Sequence, residues 1–120
     1  MVKRMKNTDR GFYGYMGKIF GSRRVQWDTT DRFYDDAGKE WIIDVRNGEV
    51  VSVISMEKML IKNVYAEDVF SLIEILKSVY AEVSSGTVPS AYREAYTAAG
   101  YQITEEKKNF VVIRGGKTDE

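Results

Sequence analysis

The chain has 120 residues, 43% of them hydrophobic and 30% charged, the usage of one globular domain. Eighteen basic side chains balance eighteen acidic ones, which argues against a nucleic-acid scaffold and against an acidic tail protein. With no cysteine and no histidine, disulfides, thiolate metal sites, Cys–His nucleophiles, Ser-His-Asp triads and histidine zinc centres are excluded, and any chemistry rests on carboxylates, tyrosines, lysines or backbone groups.

Residues 1–10 are polar and read as a flexible arm. Their basic start has no apolar stretch behind it, so no secretory signal is expected, and no apolar run is long enough for a membrane span. Gly11–Gly21 alternates glycine with aromatics and fits either a loose strand or a short helix ended by Gly21. Its glycine spacing is not that of a phosphate loop. In Arg23–Tyr34, Val25 and Trp27 alternate with Arg24 and Gln26, a short-strand pattern. A turn is expected over Asp35–Gly38. Lys39–Val45 reads as a strand with Trp41, Ile43 and Val45 on one face. Asn47-Gly48 then marks a tight hairpin, with Glu49–Ser55 as the returning strand and Glu57–Val64 as the next.

Ala66–Val83 gives the clearest helix pattern: Val69, Leu72, Ile73, Leu76, Val79, Tyr80 and Val83 recur at steps of three and four. Glu67 and Asp68 lie where carboxylates complement the helix dipole. Thr87-Val88 reads as a very short strand. The only proline, Pro89, opens a second helix over Ser90–Ala99, and Gly100 suits a left-handed helix end. Tyr101–Thr104 and Asn109–Arg114 are two strands, and residues 115–120 a polar tail. The order predicts one α+β domain over residues 11–114, a mixed, mostly antiparallel sheet of six or seven strands covered by two main helices. Leu72, Ile73, Leu76, Val79, Ile43, Val53, Ile61 and Val112 are its expected core.

From Lys39 onward the succession resembles the GCN5-related N-acetyltransferase (GNAT) family. The stretch that carries the resemblance is Ala95-Tyr96-Thr97-Ala98-Ala99-Gly100-Tyr101-Gln102-Ile103, followed by Asn109–Arg114: a tyrosine-bearing helix that leads through three residues to Gly-aromatic and a final strand. The resemblance implies an acyl-CoA cofactor and Tyr96 as the acid that protonates the leaving thiolate. It also implies a phosphate-binding turn at Asn63, Tyr65 and Ala66, before the long helix. That turn departs from the family: Asn63–Val69 holds no glycine and no arginine, and it sets Glu67 and Asp68 where phosphates would approach. At 4–6 Å each carboxylate would repel a phosphate by roughly 1 kcal/mol or more. Glu57 is the best-placed carboxylate for a base.

Two readings follow. In the first, the chain is an acyl-CoA-dependent N-acetyltransferase using Tyr96, Glu57 and acetyl-CoA. In the second, which the degenerate turn favours, it is a small cytoplasmic GNAT-like module, of phage or mobile-element type, that binds or inhibits a protein and takes no cofactor or metal. The first thirty residues carry seven basic and two acidic side chains. Phe12, Tyr13, Tyr15, Trp27, Phe33 and Tyr34 gather in the same region. Tyr13, Tyr15, Arg23, Arg24 and Trp27 are therefore the candidate partner-binding residues, because Tyr, Trp and Arg dominate interface hot spots. A homodimer stays open; neutral charge speaks against nucleic acid, and no membrane contact is expected.

Overall fold

The computed structural model describes residues 1–29, 33 and 38–118. In chain order the elements are β1 (Val2–Met5), α1 (Phe12–Phe20), α2 (Arg23–Thr29), β2 (Glu40–Arg46), β3 (Glu49–Glu57), β4 (Leu60–Ala66) and α3 (Val69–Val79). A 3-10 turn (Tyr80–Glu82), β5 (Ser85–Pro89), a second 3-10 turn (Ser90–Tyr92), α4 (Arg93–Ala98), β6 (Gln102–Glu106) and β7 (Phe110–Arg114) complete it. The strands form one sheet in the order β1-β2-β3-β4-β5-β7-β6.

The β2–β3 hairpin turns on Asn47 and Gly48 at φ 53 and 78, the two positive angles that match the twist of the flanking strands. β3 and β4 continue antiparallel, as do β5, β7 and β6. The parallel β4–β5 pairing is confined to Leu60↔Ser85 and Ile61↔Gly86. Beyond these pairs the two strands diverge, and the sheet opens as a wedge in its middle.

Strand alternation sends side chains to two cores. On one face Ile42, Ile54 and Val64 pack under α3 and α4 with Leu72, Ile75, Leu76, Val79 and Tyr96. On the other, Trp41, Ile43, Val53 and Tyr65 pack under α1 and α2 with Phe12, Met16, Ile19 and Val25. Of the expected core, Ile73 and Val112 are only half-buried, while Ile75 and Ile113 are fully buried.

Several expectations need correction. The supposed flexible arm contains β1, which pairs with β2; Arg4 holds it down by reaching Glu40 at 2.7 Å and Glu82 through both terminal nitrogens at 2.7 and 2.8 Å. Gly11–Gly21 resolves to helix α1, with buried Phe12, Met16 and Ile19 at helical steps. The strand expected from Arg23 is helix α2: its buried residues are Val25 and Thr29, one turn apart, and Trp27 points to solvent. The long helix starts at Val69, because β4 runs on to Ala66 by pairing with Ser52; Val69 and Tyr80 lie outside its buried stripe. Gly115–Lys117 is hydrogen-bonded to the backbone of Tyr80, Val83 and Ser84, so this part of the tail is docked. Tyr34 and the turn over Asp35–Ala37 lie outside the described residues.

Candidate functional site

The wedge between β4 and β5 is where a ligand could reach the interior of the sheet, since past Ile61 and Gly86 the facing edges of these strands are not paired to each other. Side chains of the chain itself occupy its surroundings. Helix α2 packs against β4 and the Ser90–Tyr92 turn. Tyr92 is buried on that turn, close to the Ala66 backbone at the end of β4, and burial pushes its phenol above the ordinary range. Tyr65 is buried beside it on β4, its hydroxyl donating to Glu67 at 3.2 Å; burial and the Glu67 carboxylate push its pKa up to about 12. A groove of about 380 Å³ remains between Val69, at the start of α3, and residues 90–95.

The N-terminus of α3 borders this groove. Asp68 caps it: one carboxylate oxygen accepts from the amides of Phe70 and Ser71 at 3.0 and 3.2 Å, and the other pairs with Arg46 at 2.8 Å. Behind the cap, Ser71 donates to the buried Asp44 at 2.5 Å, and Ser52 donates to Ser71 at 2.5 Å. Arg46 also lies 3.1 Å from Asp44, and the amino group of Met1 lies 3.0 Å from it. Burial raises the Asp44 pKa, but the Ser71 hydrogen bond, the Met1 amino group and Arg46 outweigh it and hold the carboxyl below its usual range. A helix N-terminus attracts anions because its first amides lack partners. Here a carboxylate already accepts from two of them, and a phosphate brought there would meet Asp68 and Glu67. The residues present do not fit the diphosphate of an acyl-CoA.

The sequence-derived candidates fall in different places. Tyr96 is fully buried, and its hydroxyl donates to the Pro89 carbonyl at 2.8 Å; burial drives its phenol far above the ordinary range. Glu57 ends β3 beside Leu60, at the closed end of the wedge. Pro89 lies four residues along β5 from Ser85, about 13 Å at strand rise, so Glu57 and the Tyr96 hydroxyl are at opposite ends. Asn63 is buried, and its side-chain oxygen accepts from Lys39 at 3.1 Å and Ser55 at 2.7 Å, which commits it to the fold. Ala66 ends β4, half-buried and close to Tyr92. Tyr13 and Trp27 are exposed, Tyr15 is half-buried under Lys3, and Arg23 and Arg24 are exposed neighbours on α2, with Arg24 3.5 Å from Asp28.

Sequence reasoning missed Tyr92, Arg46 and Phe70. An acidic residue just before an apolar helical run is a cap signal and would have assigned Asp68 its role; nothing local marks Tyr92 as a residue buried beside the wedge.

Among the described residues no group of three or more acidic side chains could hold a metal ion, and no helix is long and apolar enough to cross a membrane. No family model matches the sequence, and no curated protein matches it. Solved structures do match. Escherichia coli ElaA aligns with a TM-score of 0.62 at 10% identity, over 94% of this chain and 97% of that one. Campylobacter jejuni N-acetyltransferase PseH in complex with acetyl coenzyme A aligns with a TM-score of 0.50 at 15% identity, over 94% of this chain and 96% of that one. The divergence of β4 and β5, the strand order and these alignments agree: the chain has a GNAT-like α+β fold with a mostly antiparallel sheet.

Proposed function

We propose that this chain is a GNAT-fold binding module that captures a protein partner in the cytoplasm and does not use acyl-CoA. The observation that carries the reading is Asp68, whose carboxylate fills the amide site at the head of α3. Tyr92, buried beside the end of β4, supports it by filling space next to the wedge. A partner surface is at hand beside the closed wedge. Trp27 is 83% exposed and Phe70 81% exposed, with Val69 also open. They sit on α2 and α3, two elements that border residues 90–95. Large apolar side chains kept in water mark interaction sites, and Arg23 is exposed on α2 and Arg93 at the start of α4, on the groove. A cysteine-free chain suits a reducing compartment. The test is capture by the immobilised chain, with and without Trp27→Ala and Phe70→Ala together. One stoichiometric partner lost in the double variant, at an unchanged melting temperature, supports the reading; equal capture by both removes this surface from it.

The second reading is an acetyl-CoA-dependent N-acetyltransferase. What favours it is the wedge itself, with Tyr96 beside it at Pro89, together with the likeness to an N-acetyltransferase crystallised with acetyl coenzyme A. Acetylation of a panel of small amines that is lost in Tyr96→Phe would establish it.

A further inference from the structure

A cavity of about 400 Å³ lies away from the wedge mouth, at the closed end where β5 begins and β7 ends. Its volume is in the range of small-molecule sites. Arg114 ends β7 between Ser85 of β5 and Gln102 of β6, its cross-strand partners on either side, and all three line the cavity. Directly opposed residues keep their side chains on one face within about 4.5–5.5 Å at Cβ, which makes a row of hydroxyl, guanidinium and amide donors. Lys117 and Ser84 join the row from the side. No carboxylate of the described residues lines this cavity or pairs with Arg114 or Lys117.

The position of Lys117 is built, not incidental. A Cβ at Gly115 would come within 2.4 Å of the Val83 carbonyl, and one at Gly116 within 2.7 Å of the Tyr80 ring. Only this glycine pair lets the chain lie so close. In doing so the Gly115, Gly116 and Lys117 amides donate to the carbonyls of Ser84, Tyr80 and Val83 at 3.2, 2.8 and 2.9 Å. The carbonyls past the end of α3, which would otherwise repel an anion, are thereby occupied. What remains is a donor-lined hollow with two cations and the partly exposed Tyr80 ring at its wall.

We infer that this cavity binds a small phosphomonoester, its phosphate held by Arg114 and Lys117 and its organic part resting against Tyr80. A guanidinium fork and an ammonium match phosphate oxygens, and the volume exceeds what a bare phosphate fills. The inference is independent of the wedge. The test is calorimetric titration of the full chain with ribose 5-phosphate and, separately, with inorganic phosphate. Saturable binding of ribose 5-phosphate with a dissociation constant of about 1 mM or tighter, weaker binding of phosphate alone, and at least a roughly tenfold loss in Arg114→Gln/Lys117→Gln are expected. Gly116→Ala, which displaces Lys117 without removing a charge, should weaken binding as well, and melting temperatures of all variants show whether they fold. Absence of saturation with either ligand overturns the inference, as does equal affinity for the two ligands or undiminished binding in a folded double variant.

Discussion

Under α3 and α4 the core is mostly aliphatic, with the tyrosines Tyr92, Tyr96 and Tyr101 at its side, and closely tied to hydrogen-bonded polar groups: Leu72, Ile75, Leu76 and Val79 are buried beside Ser71, which is joined to Ser52 and Asp44. Under α1 and α2 the core is built on rings. Trp41 lies within 6.2 Å of the Phe12, Phe20 and Phe33 rings, and its buried indole N–H has no hydrogen-bond partner among the described residues. That face also leaves Trp27 and Tyr13 in solvent. An unpaired buried donor costs about 1–3 kcal/mol, whereas the polar groups named on the α3 face are satisfied. The α3 core holds the fold, whereas Trp27 on α2, Tyr13 on α1 and Phe70 at the head of α3 are groups the fold does not consume.

The comparison breaks most visibly in the α3 core. Leu76→Ala empties a fully buried site and should lower unfolding free energy by about 2–5 kcal/mol, read by urea denaturation; a loss under about 1 kcal/mol would show that the stripe is not what anchors the sheet. Ser71→Ala should come next, at about 1–3 kcal/mol, because Asp44 loses a donor and Ser52 its acceptor in a buried setting. This variant also has a pH signature. Asp44 is depressed in the folded state, so its stabilisation is present near neutral pH and is lost as pH falls through the folded-state pKa. With Ser71 gone the depression shrinks, and acid unfolding should begin at a higher pH than in the parent chain. Identical acid transitions would remove Ser71 from the network. Asp68→Ala takes away the cap of α3 and should cost about 0.5–2 kcal/mol, measured by thermal unfolding. At the small end, Trp27→Ala should change stability by less than about 0.5 kcal/mol, since its ring is in water. A larger loss would mean that α2 depends on it.

What the sequence revealed follows the same division. Helix α3 was legible because a wide aliphatic stripe at helical spacing has one interpretation, and the Asn47–Gly48 hairpin because few residues accept its positive φ angles. Helix α2 was not: over seven residues, Val25 and Trp27 fit strand alternation as well as helical spacing, and only packing of Val25 and Thr29 decides between them. β1 was missed since four residues become a strand only when β2 offers its edge and Arg4 finds Glu40 and Glu82. In the candidate site, the misfit of Glu67 and Asp68 with phosphate could be read from residue types alone. The burial of Tyr92 beside the wedge could not, because it depends on the end of β4, 26 positions earlier at Ala66, lying close to it.

Whether Glu67 and Asp68 keep acyl-CoA out of this GNAT-like fold is tested most directly by calorimetric titration of acetyl-CoA into the purified chain. No saturable heat is expected up to about 1 mM ligand; a dissociation constant of about 10 µM or tighter, some 7 kcal/mol of binding free energy, would contradict this and favour Tyr96 as a catalytic acid.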